Sequence, residues 1–209
     1  MSESTPSNPA NSAMPRFESP LHHVDLVRLA EPTGAATVTV AELPGLSHLI
    51  LRGNASDSAF TAGVETVLGI PLPLQPCSSS HSDSVKIRWQ SPDEWLIIAA
   101  DSARSIEEQL RSQLEGHFSI SDVSGGQTLV ALSGSNAENV LRKSTPYDVS
   151  LRNLPVGKVV GTVLAKTQLQ LCRTGEESFE LILRRSFADY LWMWLVDAGQ
   201  EYGVTYQRC

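Results

Sequence analysis

Apolar residues recur along this chain with two periods, and the switch between them sorts the sequence into elements. Thr37 to Glu42 and Ser47 to Arg52 have the composition of strands around Leu43-Pro44-Gly45, and Ala59 to Leu68 follows helical spacing until Gly69. Residues 71–84, with three prolines and a cluster of serines, read as a surface loop. Val85 to Trp89 and Trp95 to Ala99 predict a hairpin joined through Ser91-Pro92-Asp93-Glu94. Ile106, Leu110 and Leu114 then recur every four residues, with Ser105 and Glu108 placed as a capping box and Gly116 at the expected C′ position.

The second half repeats the theme. Ile120 to Val123 and Thr128 to Leu132 flank Gly125-Gly126, which predicts another hairpin because paired glycines tolerate positive φ. Ser135, with Glu138 as its box partner, opens a short helix that ends near Lys143. A loop through Pro146 and Pro155 leads to three strands at Lys158 to Ala165, Gln168 to Cys172 and Phe179 to Leu183. A long aromatic helix closes the chain. The order predicts an α+β fold of two modules, each a mostly antiparallel sheet with packed helices. The expected divisions are a flexible tail over residues 1–18, a first module over 19–118 and a second over 119–209.

The closing helix has more apolar surface than one core needs. Phe187, Tyr190, Leu191, Trp194, Leu195 and Ala198 form one stripe at helical spacing, while Trp192 and Val196 fall outside it. An indole left on an ordinary surface helix points to a partner, because large aromatics favour cores and interfaces. Ser186 and Asp189 mark the helix start as a capping-box variant.

Charge and composition narrow the function classes. The formal net charge of -7 and the lack of a basic run argue against binding a nucleic-acid backbone. The longest apolar stretch, Leu191 to Val196, is far short of the roughly 18 residues that suggest a membrane span. The N-terminal segment has neither the apolar core of a secretory signal nor the Arg-rich character of a transit peptide, so a soluble cytoplasmic protein is expected. Cys77, Cys172 and Cys209 are widely spaced and read as reduced thiols.

The candidate chemistry is thin. Lys143-Ser144 lacks the glycines of a phosphate-binding loop, and Gly125-Gly126 lacks the spacing of a dinucleotide fingerprint. The histidines, His22, His23, His48, His81 and His117, form no pair spaced for a metal. Ser133-Gly134-Ser135 is not a nucleophile elbow. Asp122, ahead of Ser124, is best placed to accept backbone N–H groups and fix a turn.

Five segments in order carry a family resemblance: Ser19-Pro20-Leu21, Ser91-Pro92-Asp93-Glu94-Trp95-Leu96, Asp122-Val123-Ser124, Leu132-Ser133-Gly134 and Arg185-Ser186-Phe187-Ala188-Asp189-Tyr190. Together they resemble the gamma subunit of heterotetrameric sarcosine oxidase, from about residue 19 to the C-terminus. The resemblance implies a fold related to the folate-binding modules of aminomethyltransferases. It also implies a complex that oxidatively demethylates sarcosine to glycine, yields hydrogen peroxide and passes the one-carbon unit to tetrahydrofolate. On that reading FAD and FMN belong to the alpha and beta subunits, NAD to alpha and zinc to delta. The gamma chain packs chiefly against alpha, with no cofactor, metal or catalytic residue of its own.

The chain departs from the family pattern at Thr145-Pro146-Tyr147-Asp148-Val149 and at Gly157-Lys158-Val159-Val160-Gly161-Thr162. These departures leave open a sister complex acting on another N-methyl amino acid, such as N-methylglutamate. A free-standing folate-binding or aminomethyl-transfer protein, with Asp122 as its carboxylate, is the rival from another class. Arg184, Arg185, Phe187, Tyr190 and Trp192 are the expected interface anchors, Trp192 foremost.

Overall fold

The structure, a computed structural model, describes residues 18–24 and 36–208; most of the expected tail lies outside the described residues. In chain order the elements are β1 (Val38–Leu43), β2 (Ser47–Arg52), α1 (Ser58–Leu68), β3 (Ser79–His81), β4 (Val85–Ser91), β5 (Glu94–Ala99), α2 (Ala103–Gln113), β6 (Ser119–Asp122), β7 (Gln127–Ser133), α3 (Ala137–Ser144), β8 (Val159–Leu164), β9 (Thr167–Gly175), β10 (Ser178–Arg184), α4 (Ala188–Gly199) and β11 (Val204–Arg208). They form a six-stranded sheet, β11-β1-β7-β10-β9-β8, and a five-stranded sheet, β3-β4-β5-β2-β6. Among the described residues every pairing is antiparallel except β1 with β11. The α+β class is as expected. Among the described residues no helix is long and apolar enough to cross a membrane.

Helices α1 and α2 cover the outer face of the five-stranded sheet, and α3 and α4 that of the six-stranded sheet, so the order of layers is helix, sheet, sheet, helix. Strand alternation explains why several strands read as unbroken apolar runs. Trp95, Ile97 and Ala99 of β5 pack under α1 and α2, while Leu96 and Ile98 meet Leu129 and Ile182 of the other sheet. Phe179, Leu181 and Leu183 of β10 likewise pack under α3 and α4.

The sheets do not divide at residues 118 and 119. β1 lies in the six-stranded sheet beside β7, and β6 in the five-stranded sheet beside β2. Two short links, residues 44–46 and 123–126, are corners that carry the chain from one sheet to the other. The hairpin expected around Gly125-Gly126 is therefore absent: these residues form a single 3-10 turn in which neither glycine takes a positive φ. Asp122 fixes that turn, accepting hydrogen bonds from Ser124 N at 2.9 Å and Ser124 Oγ at 2.6 Å. Gly134 is the glycine that a turn requires. Its φ is +114° and an added Cβ would lie 2.2 Å from the Thr37 carbonyl oxygen.

Other local expectations also shift. Residues 71–84 contribute the short edge strand β3 as well as a loop. The N-cap of α2 is Ser102, whose Oγ accepts from Ser105 N at 3.1 Å, while Glu108 pairs with Arg104 on the surface. Glu138 does not complete a capping box for α3, because its carboxylate is claimed by Arg142 and by the fully buried Arg173. Nor does the aromatic helix close the chain: β11 follows, with Val204 and Tyr206 buried in alternation.

A small set of polar groups sits between the sheets. Arg88 of β4, only 1% exposed, and the half-buried Lys86 both donate to the buried carboxylate of Glu180 on β10. His48 of β2 is also buried; burial and then the charge of Arg88 lower its pKa to about 4. Its imidazole is thus neutral in the folded protein at pH 7.

Two predictions follow from this layer. Glu180→Gln leaves Arg88 buried without a counterion and should cost roughly 3–5 kcal/mol in denaturant unfolding. His48 takes up a proton more readily unfolded, near the ordinary imidazole value of 6.5, than folded, at about 4. Its contribution to stability is complete above the unfolded value and is lost as pH falls through the folded one, up to about 3 kcal/mol. Unfolding curves across that window should show a weaker pH slope for His48→Leu than for the parent chain.

Candidate interaction surface at the C-terminal helix

β10 runs out of the sheet at Arg184, and a 3-10 turn over Arg185–Phe187 redirects the chain into α4. Phe187 occupies the N-cap position and makes no side-chain capping bond. The expected Ser186 and Asp189 box does not form; Asp189 Oδ1 instead meets His23 Nε2 at 2.8 Å. Arg185 Nη2 donates to the Glu18 carbonyl at 2.9 Å. These contacts strap residues 18–24 against the start of α4. Leu21, 1% exposed, sinks into the core beneath, and Ser19 Oγ donates to the Glu42 carboxylate.

The helix faces a direction the sequence did not indicate. Its buried positions are Ala188, Leu191, Trp192, Leu195 and Gly199. Compared with the expected stripe, the inward face is turned by nearly one residue step, about 100°. β11 is the cause. Tyr206 offers Trp192 a ring contact with centroids 5.4 Å apart, and Gly199 allows the helix so close to β11 that a Cβ would lie 2.5 Å from Val204 Cγ2. Trp192 is only 4% exposed, so its expected role as the foremost interface anchor is corrected: the indole completes the core of its own chain.

The remaining four candidates stay at or near the surface. Arg184 and Arg185 are exposed, Phe187 is 42% exposed and Tyr190 is half-buried against the core. Two side chains join them that the expected set omitted, Met193 at 63% and Trp194 at 36% exposure. Trp194 Nε1 donates to Ser144 Oγ at 3.0 Å, which fixes the indole while leaving an edge to solvent. Periodicity alone could have found Met193, but it was hidden by taking the wrong face as buried. The result is an exposed apolar strip along one side of α4.

The polar candidates have local work to do. Lys143 donates to Glu201 and to the Ala198 carbonyl, His22 Nδ1 lies 2.8 Å from the Ser19 carbonyl oxygen, and Asp122 holds its turn. Cys77 and Cys172 are free thiols, and burial pushes the Cys172 thiol pKa up, away from the reactive thiolate. Among the described residues no three His, Cys, Asp or Glu side chains are grouped to hold a metal ion.

Known proteins with this sequence and shape agree with one another. The sequence profile described as the sarcosine oxidase, gamma subunit family matches residues 52–201. Sarcosine oxidase subunit gamma from Corynebacterium sp. (strain P-1) is 32% identical over 185 residues, covering 88% of this chain and 90% of that protein. A chain of the heterotetrameric sarcosine oxidase from Corynebacterium sp. U-96 superposes with a TM-score of 0.79 at 30% identity, over 88% of this chain and 95% of that one. Aminomethyltransferase T of the glycine cleavage system from Bartonella henselae shares the fold, with a TM-score of 0.64 at 15% identity over 92% of this chain and 60% of that one. With the family profile matched over residues 52–201 and 88% of its length aligned with a gamma subunit at 32% identity, this chain belongs to the sarcosine oxidase gamma subunit family.

Proposed function

We propose that this chain serves a heterotetrameric sarcosine oxidase as its non-catalytic gamma subunit, supplying binding surface while other subunits supply the reacting groups. The carrying observation is the 32% identity to a sarcosine oxidase gamma subunit over 88% of this chain and 90% of that protein. The activity that comes with this reading is oxidative demethylation of sarcosine to glycine, with hydrogen peroxide formed and the one-carbon unit passed to tetrahydrofolate. FAD, FMN, NAD and zinc are assigned to the alpha, beta and delta chains, and alpha is the main neighbour of this one. A cytoplasmic setting suits its free thiols.

The exposed strip of Phe187, Met193 and Trp194 supports a docking role, because solvent-facing aromatics and Met beside arginines are the residue types that anchor interfaces. Arg184, Arg185 and Tyr190 extend the same surface. Asp122 gives no support to the folate-binding rival, since its carboxylate is already committed to Ser124.

Co-expression with the neighbouring flavin-bearing chains and affinity purification tests the assignment: a flavin-containing assembly that turns over sarcosine is expected. Recovery of this chain alone, or saturable tetrahydrofolate binding by the isolated chain, would overturn it. Within that assembly, Phe187→Ala with Met193→Ser should weaken association at least about tenfold, or about 1.4 kcal/mol, without lowering the chain's own melting temperature. Trp192→Ala should do the reverse, destabilising the chain by roughly 3–5 kcal/mol through the cavity it leaves.

A further inference from the structure

Of the four sheet edges, β8 differs from the others. β3 is three residues long, β6 has four with the sequence SISD, and β11 has five, all shorter edges than β8. β8 reads VVGTVL, six residues without charge or proline. An apolar strand of that kind invites pairing wherever its backbone groups are unmet.

The register says which groups those are. Val159 N–H points out of the sheet edge, donating to the Cys77 carbonyl at 2.8 Å, so in an antiparallel ladder the alternate residues Gly161 and Val163 turn their N–H and C=O groups the same way. Residues 77 and 78 cover only the start of the edge, through this bond and the bridge between Ser78 and Lys158. Beyond it, a Cβ at Gly161 would meet nothing within 4 Å and Val163 is 36% exposed.

The face beside this edge is equally distinctive. Gly161 pairs with Gln170 and Val163 with Gln168, which puts them on the inner face of the six-stranded sheet, where the shorter sheet stops covering it. A cleft of about 550 Å³ opens there, lined by Gln90, Gln127, Gln168 and Gln170, with Arg184 at its rim. Gln127 Oε1 is buried without a hydrogen-bond partner, and among the described residues Arg184 makes no ion pair. The lining holds no carboxylate.

Resting on the gamma-subunit reading, we propose that β8 receives an extended, acid-bearing segment of another subunit. Its backbone pairs with Gly161 and Val163, and its side chains lie over the amide-lined cleft toward Arg184. An extended chain is the occupant because, among the described residues, the unmet groups are backbone donors and acceptors at strand spacing. A second copy of this chain fits poorly, since pairing two β8 edges brings no carboxylate from either cleft to Arg184.

Hydrogen exchange of the full chain, alone and in the co-purified assembly, tests this directly. The amides of Gly161 and Val163 should exchange rapidly in the free chain and slow at least about 100-fold on assembly. Val163→Lys should weaken association at least about tenfold with an unchanged circular dichroism spectrum, and Arg184→Glu should weaken it in a salt-dependent way. An assembly that forms and turns over while both amides still exchange fast overturns the proposal and leaves the gamma-subunit reading intact. A dimer of the free chain abolished by Val163→Lys assigns the edge to self-association and overturns it too. A chain that never joins flavin-bearing partners sinks both readings.

Discussion

Among the described residues Glu180 is the one acidic group buried between the two sheets, and it has to meet two cations from the opposite sheet. Leu96, Ile98, Leu129 and Ile182 could slide past one another at small cost, since hydrophobic contact has little direction. The Arg88 guanidinium cannot, because any other register strands a charge in a dry interior. The ion pair therefore aligns the layers, and the alignment decides where the five-stranded sheet ends. Past that end the inner face of the larger sheet is bare, which is why the glutamine-lined cleft lies beside β8.

The same charge reaches His48. Burial removes water from the imidazole, and Arg88 opposes any proton that would join it, so the ring stays neutral well below its usual range. A polar layer of this sort narrows the pH range of the fold. It also spares Glu180 a further cation beyond Arg88 and Lys86.

Much of the local structure was legible in the sequence, because alternation and helical spacing report burial directly. The β4 and β5 hairpin, the three strands after Pro155 and α1 to α4 all lie where those patterns put them. Sheet membership was not legible. Alternation tells that Val40 and Leu49 each have a buried face, but not that β1 pairs with β7 while β2 pairs with β5. Capping failed for a different reason: Glu138 fits a box by spacing, yet the buried Arg173 has the stronger claim on its carboxylate. For α4 the missing information was β11, five residues whose Tyr206 draws Trp192 inward and leaves Phe187, Met193 and Trp194 to the outside. The anchor residues were thus partly readable as a segment, but their facing was set by a strand beyond it.

The exchange of β1 and β6 between the halves bears on how the polypeptide becomes a protein at the ribosome. Val40 leaves the exit tunnel long before Leu132 and Tyr206, the residues on either side of it in the finished sheet. The five-stranded sheet, built from residues 47–122, can form early, but the six-stranded one closes only after Val204–Arg208 have been translated. Until then the outer edge of β1 waits unpaired, and prompt capture of Val204–Arg208 becomes the step that guards newly made chains from sticking to one another.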